Sequence, residues 1–164
     1  MGSWLSHPEQ LVKLEEEWES EKCNTEELIP GKAFYVRNLL SEEECKRFRE
    51  LMEWSSDRVV EIGSSEESYR YCSRLVSKQV EAMDQLWSRL KGVMEGEGLL
   101  HLEGLEGSDW SAVGLNEMVR VVSYGLGGRF APHCDSSFTR SVEERSWWTV
   151  RLPIFAQFQL EVSR

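Results

Sequence analysis

The stretch Asn116-Glu117-Met118-Val119-Arg120-Val121-Val122-Ser123-Tyr124-Gly125-Leu126-Gly127-Gly128-Arg129-Phe130-Ala131-Pro132-His133-Cys134-Asp135 decides how this chain is read. Its β-branched and aromatic content predicts a strand from Met118 to Tyr124. Gly125 to Gly128 supplies turn residues, and Arg129 to Asp135 reads as a second strand, so a hairpin with a four-residue loop is expected. At the end of that second strand stands Pro132-His133-Cys134-Asp135. Side chains alternate across a strand, which puts His133 and Asp135 on one face and Cys134 on the other. An imidazole and a carboxylate so placed can grip one ion. They supply two of the three protein ligands of a 2-His-1-carboxylate site and leave positions on Fe(II) open.

Upstream of this segment, Lys32 to Arg37 reads as a strand through Phe34, Tyr35 and Val36. Ser41 to Glu44 forms a capping box, after which Cys45, Phe48, Leu51 and Met52 fall on one helical face. Arg58 to Ile62 predicts another strand, and Gly63-Ser64-Ser65 opens a loop. Val76, Val80, Met83, Trp87, Leu90 and Met94 recur at alternating steps of four and three, the stripe of a helix that packs on a core. Gly92 to Gly107 is glycine-rich and acidic and is expected to be a loop; His101 within it reads as a surface or packing residue. Downstream, Ser146 to Leu152 predicts a further strand.

Residues 1–28 carry eight acidic and two basic side chains, with Leu11, Leu14 and Trp18 at helical spacing. They predict a solvated amphipathic helix, ended by Ile29-Pro30-Gly31 at the edge of the main domain. The expected organisation is an acidic helix or extension over 1–28, a main domain over 29–150 and a divergent tail over 151–164.

The whole chain has 164 residues and a formal charge of −10, from 19 Lys and Arg against 29 Asp and Glu. With 40% hydrophobic residues and seven Trp it has the material for one packed core, which excludes a disordered chain. No run reaches the roughly 18 apolar residues that span a bilayer. The acidic balance argues against nucleic acid as a partner, because a phosphate backbone rewards a basic face. Cys23, Cys45, Cys72 and Cys134 show no C-x-x-C spacing, and the opening MGSWLSHPEQ lacks the basic and apolar regions of a secretory signal. Free thiols in the cytoplasm or nucleus are expected. Met1-Gly2-Ser3-Trp4-Leu5-Ser6 also fits the pattern for N-myristoylation of Gly2, a weak anchor when alone.

The order strand, Tyr-x-x-G-x-x-[FY], strand, H-x-D in residues 116–135 resembles the prolyl 4-hydroxylase-like branch of the 2-oxoglutarate and Fe(II)-dependent oxygenases. The resemblance reaches upstream over Phe34 to Met52 and downstream through Glu144-Arg145-Ser146 to Thr149-Val150; only the hairpin, Met118 to Asp135, is specific. It implies an α+β fold, a double-stranded β-helix of the jelly-roll or cupin kind with helices supporting one side. His133 and Asp135 are then the first two iron ligands, and Tyr124 lines the cosubstrate pocket and offers its hydroxyl to 2-oxoglutarate. The implied cofactors are Fe(II) and 2-oxoglutarate, with ascorbate as a further one. The implied reaction consumes oxygen, releases succinate and hydroxylates a protein or peptide side chain, with the oxidising power residing in the cofactor.

The chain departs from that pattern after Asp135. The family carries a second His some tens of residues later and then a Lys or Arg for the distal carboxylate of 2-oxoglutarate. Here no His follows His133, 31 residues remain, and the sequence runs Arg151-Leu152-Pro153-Ile154-Phe155-Ala156-Gln157-Phe158. Pro153 interrupts hydrogen bonding if its strand is internal. His7 and His101 have no partner ligand at useful spacing, while Arg151 could replace the missing anchor. The expectation is a partial double-stranded β-helix, truncated relative to the family and weak or inactive. Trp147, Trp148, Ile154, Phe155 and Phe158 would lack apolar partners. The alternative from another class is a non-catalytic interaction module that keeps the fold's helical face and docks through its acidic front. A third reading makes His133 and Asp135 an accident of a structural sheet.

Overall fold

A computed structural model of the chain describes residues 12–18, 22–54, 59–62, 70–105, 108–132, 138–152 and 156–163. The expectations for Gly2, His7, Leu11, the loop opened by Gly63, His133, Cys134, Asp135, Pro153, Ile154 and Phe155 fall outside these residues. So do the side chains of Leu51, Met52, Trp147, Trp148 and Phe158.

Strands β1 (Asn24–Ile29) and β2 (Ala33–Arg37) pair antiparallel as a separate two-stranded sheet. Pro30 and Gly31 turn the chain between them: the Lys32 N–H donates to the Ile29 carbonyl at 2.9 Å, and Gly31 takes φ +63°. A fixed φ followed by a residue free to go positive is what such a turn demands. Ile29-Pro30-Gly31 is thus a hairpin tip, where the sequence suggested a domain edge.

Helix α1 (Glu42–Trp54) starts as its capping box predicts. The Glu44 N–H donates to Ser41 Oγ at 3.2 Å, and the Ser41 N–H donates to Glu44 Oε2 at 2.9 Å. Three glutamates in the first turn also suit the positive end of the helix dipole. Then come β3 (Val59–Ile62), β4 (Arg70–Lys78) and helix α2 (Val80–Gly96). The apolar stripe read as one helix from Val76 therefore divides, with Val76 in β4 and the helix beginning at Val80. Leu75 pairs with Val121 and Val76 with Arg120 in the sheet, and this pairing outcompetes a further helical turn.

Helix α2 also runs past Gly92, into the stretch expected to be a loop. Leu86, Leu90 and Met94 are buried on one face, and their packing outweighs the roughly 1 kcal/mol that a mid-helix glycine costs. The helix ends instead at Gly98, φ +69°, where the Gly98 N–H donates to Glu95 and the Leu99 N–H to Met94. Further along that expected loop lies β5 (His101–Leu105), and β6 (Ser108–Leu115) begins just after it.

The remaining strands are β7 (Met118–Ser123), β8 (Arg129–Phe130), β9 (Glu144–Leu152) and β10 (Ala156–Ser163). All pairs are antiparallel. Strand β10 lies between β9 and a second line made of β7, through Ala156↔Val121 and Gln157↔Arg120, and β6, from Leu160↔Leu115 to Ser163↔Ser111. Strands β6 and β7 are thus one long strand bent at Asn116 and Glu117. The bend is built by buried Asn116, whose Oδ1 accepts from the Met118 N–H at 2.9 Å, and by the Glu117 carbonyl, which accepts from the Gln79 N–H at 2.8 Å.

The expected hairpin of β7 and β8 is not formed. Both run antiparallel to the same neighbour, with Ser73↔Ser123 in one and Tyr71↔Arg129 in the other. They are one line continued across a loop-out in which residues 124–128 stand opposite Cys72 alone. Gly127, φ +75°, and Gly128, whose added Cβ would sit 2.8 Å from the Gly125 carbonyl oxygen, make the loop-out tight. Glycine content alone does not distinguish such a bulge from a reversal.

The core lies between one face of this sheet and the two helices. Val119 and Val121 of β7, Phe48 of α1, and Ala82, Met83 and Leu86 of α2 are all essentially inaccessible. Residues 12–18 cross the helices as an extended strap in place of the helix expected there. Val12 and Leu14, two residues apart, are its buried positions. The Val12 N–H donates to Gln79 Oε1 at 2.9 Å and the Glu15 N–H to Glu44 Oε1 at 2.7 Å, so the strap spends its donors on α1 and α2 rather than on itself. Among the described residues no helix is long and apolar enough to cross a membrane, and Cys23, Cys45 and Cys72 are free thiols.

Candidate functional site

Alternation along β7 divides its residues cleanly. Val119 and Val121 face the helices with 0% and 1% exposure, whereas Met118, Arg120 and Val122 are half-buried and belong to the opposite face. Tyr124 lies just beyond the strand end as the first residue of the loop-out and is 40% exposed. On β4, Leu75 packs against the core while half-buried Arg74 and Val76 share the face of Arg120 and Val122, in the register Arg74↔Val122 and Val76↔Arg120. Among the described residues, the face away from the helices thus carries Val76 and Val122 with Arg74 and Arg120 in register beside them.

His133 and Asp135 lie outside the described residues. Pro132 and Phe138, on either side of them, are described. Past Phe138 the chain is tied down firmly. The Phe138 N–H donates to Ser146 Oγ at 2.6 Å and the Ser146 N–H returns to the Phe138 carbonyl at 2.7 Å. Arg140 reaches Glu117 at 2.9 Å and Glu144 at 3.1 Å, which fastens this loop to the bend between β6 and β7. Burial raises the pKa of Glu117, but its own backbone N–H, Arg140 and Lys78 outweigh this and hold the carboxyl below its ordinary range.

His101, the remaining imidazole among the described residues, starts β5 opposite Ser111 and shares a 3.2 Å contact between Nδ1 and that residue's Oγ. It is an exposed cross-strand pair, as expected of a surface residue. Among the described residues no group of three His, Cys, Asp or Glu side chains could hold a metal, a statement that does not reach His133 and Asp135.

Arg151 was considered in isolation in the sequence. Its backbone pairs with Gln157, and Gln157 pairs with Arg120, so Arg151 and Arg120 occupy one cross-strand row. Arg120 and Arg74 were not singled out by sequence reasoning. The signal was present: two valines bracketing an arginine in a strand put the arginine on the face the valines leave.

Comparison with protein-family models, with curated proteins and with solved structures finds no match to this chain.

Proposed function

We propose that the chain is an Fe(II)- and 2-oxoglutarate-dependent oxygenase domain of the prolyl 4-hydroxylase-like kind, acting on a protein or peptide side chain, with its sheet as part of a double-stranded β-helix. What supports this is the position of Tyr124: exposed, at the start of the loop-out after β7, nine residues before His133 in the order the resemblance demands. An antiparallel sheet with helices on one face only leaves the other for ligand, which is the arrangement the proposal needs. Iron and 2-oxoglutarate supply the oxygen activation when bound. His133 and Asp135 would hold the metal through an imidazole and a carboxylate, Tyr124 would offer its hydroxyl to the cosubstrate, and Val76 and Val122 would help to exclude water. A cytoplasmic or nuclear setting suits the free thiols of Cys23, Cys45 and Cys72. The strap bound across α1 and α2 already covers part of the helical layer that a docking module would offer.

Titration with Mn(II) as a spectroscopic stand-in for Fe(II), together with succinate release from 2-oxoglutarate, tests the proposal. His133→Ala or Asp135→Ala is expected to abolish metal binding, and Tyr124→Phe to weaken cosubstrate binding by about tenfold while sparing the metal. Metal binding indifferent to both ligand substitutions overturns the reading.

A further inference from the structure

Residues 12–18 lie across the helical layer in the manner of a bound peptide. Five side chains, from α1, from α2 and from the Gln79 cap of α2, hold the main chain of this strap. Gln79 Oε1 accepts from the Val12 N–H at 2.9 Å, and Gln85 Oε1 accepts from the Leu14 N–H at 3.4 Å. Glu44 Oε1 accepts from the Glu15 N–H at 2.7 Å. Arg47 donates to the Lys13 carbonyl at 2.6 Å and Arg89 to the Glu15 carbonyl at 2.7 Å. Four successive residues thus have their peptide groups bound by side chains that stand 29 to 74 positions further along the chain.

Contacts to the main chain hold an extended segment in place, and alternate side chains supply the selectivity. Val12 and Leu14 do so here: they are 4% and 5% exposed and belong to the same buried cluster as Phe48, Met83 and Leu86. Lys13 and Glu15, between and after them, are exposed. At the far end the ring of Trp18 lies 5.7 Å from the Arg89 guanidinium. The strap is not one of the paired strands, so lifting it breaks no sheet ladder.

Such a groove is indifferent to which chain carries the segment. The occupant whose fit is displayed is Val12–Trp18, and a second copy brings the same residues. Every contact broken within one copy is remade between two, which leaves concentration and the entropy of association to decide the balance. We infer that the layer formed by α1 and α2 is an interface between copies of this chain, in which the strap of one copy lies in the groove of another. The inference is independent of the proposed function, because it involves neither Tyr124 nor the H-x-D residues.

Cross-linking of the unsubstituted chain, which needs no variant to fold, is the first test. Isotopically light and heavy chains are mixed, held at high concentration and treated with an amine-reactive cross-linker. The bond from Arg47 to the Lys13 carbonyl brings Lys13 close to Lys46. Links between these two lysines should include mixed-isotope pairs whose share rises with concentration; links confined to one isotope at every concentration overturn the inference. Complementation is the second test. A copy with Val12→Asp and Leu14→Asp keeps its groove and loses its strap, whereas one with Arg47→Ala and Gln79→Ala keeps its strap and weakens its groove. Mixing the two should raise the dimer fraction in sedimentation by about tenfold over either alone, and an excess of a synthetic peptide of residues 12–18 should dissolve that dimer. Folded variants that fail to associate, or association that persists when both copies carry the spoiled strap, overturn the inference. Capture of the peptide by the vacated groove with no dimer in the mixture overturns it as well, and assigns the groove to free segments instead.

Discussion

Glu44 is buried and accepts hydrogen bonds at both carboxylate oxygens. One carboxylate oxygen accepts from the Glu15 N–H at 2.7 Å and from Arg89 Nη2 at 2.8 Å; the other accepts from the Ser41 N–H and Arg89 Nη1, each at 2.9 Å. Arg89 also donates to the Leu39 and Glu15 carbonyls. Burial raises the pKa of Glu44, but the hydrogen bonds from Arg89, Glu15 and Ser41 and the Arg89 charge hold it below the ordinary range. Its stabilising contribution is therefore complete above the unfolded carboxylate pKa and disappears as pH falls through the lowered native value. Glu44→Ala should cost about 3 to 5 kcal/mol in urea unfolding at neutral pH, because it strands a buried guanidinium, and should flatten the acid limb of the stability profile. Glu44→Leu with Arg89→Met should recover only part of that loss, since both residues also bind backbone groups that leucine and methionine leave unmet. The capping half of this network was legible in Ser41 to Glu44. Its partner in α2 was not, because a lone arginine in an apolar stripe reads equally well as a snorkelling surface residue.

At the scale of elements, local chemistry predicted correctly wherever it was self-contained: β2, α1, β3, β7 and β9 all fall close to where composition and capping put them. The errors share one cause, a competing tertiary partner. The strap looks helical by Leu14 and Trp18, yet side chains at Gln79 and Glu44 bind its backbone in an extended form. The β7 and β8 segments look like a hairpin, yet β4 takes both along one edge. Gln79 joins several of these elements. Its N–H donates to Glu117, its Oε1 accepts from Val12, and its Nε2 donates to Ser77 Oγ at 2.7 Å. Gln79→Ala should destabilise by about 1 to 3 kcal/mol and raise amide exchange in residues 12–18 more than in β7, as followed by mass spectrometry. Gly98→Ala should cost about 1 kcal/mol in thermal or chemical melts, since alanine is strained at positive φ. Gly92→Ala, inside the helix with nothing within 4 Å of the added methyl, should stabilise by a similar amount.

For the molecule as a whole, the candidate site was half legible. The H-x-D residues were named from their alternation along a strand, Tyr124 from the family resemblance and Arg151 from its chemistry, but the backbone register that aligns Arg151 with Arg120 runs across three strands. Register follows from pairing partners, which are set by the bend at Asn116 and the loop-out at Gly125–Gly128 rather than by any local motif. The strap has a kinetic implication of the same long-range kind. Val12 binds a side chain 67 positions later and Glu15 accepts from one 74 positions later. Loop closure over such distances is slow, and on a ribosome the strap cannot complete its docking until α2 has emerged. Stopped-flow folding of a Val12→Ala variant is expected to show faster unfolding with refolding nearly unchanged, the mark of a clasp fastened after the rest of the domain has assembled.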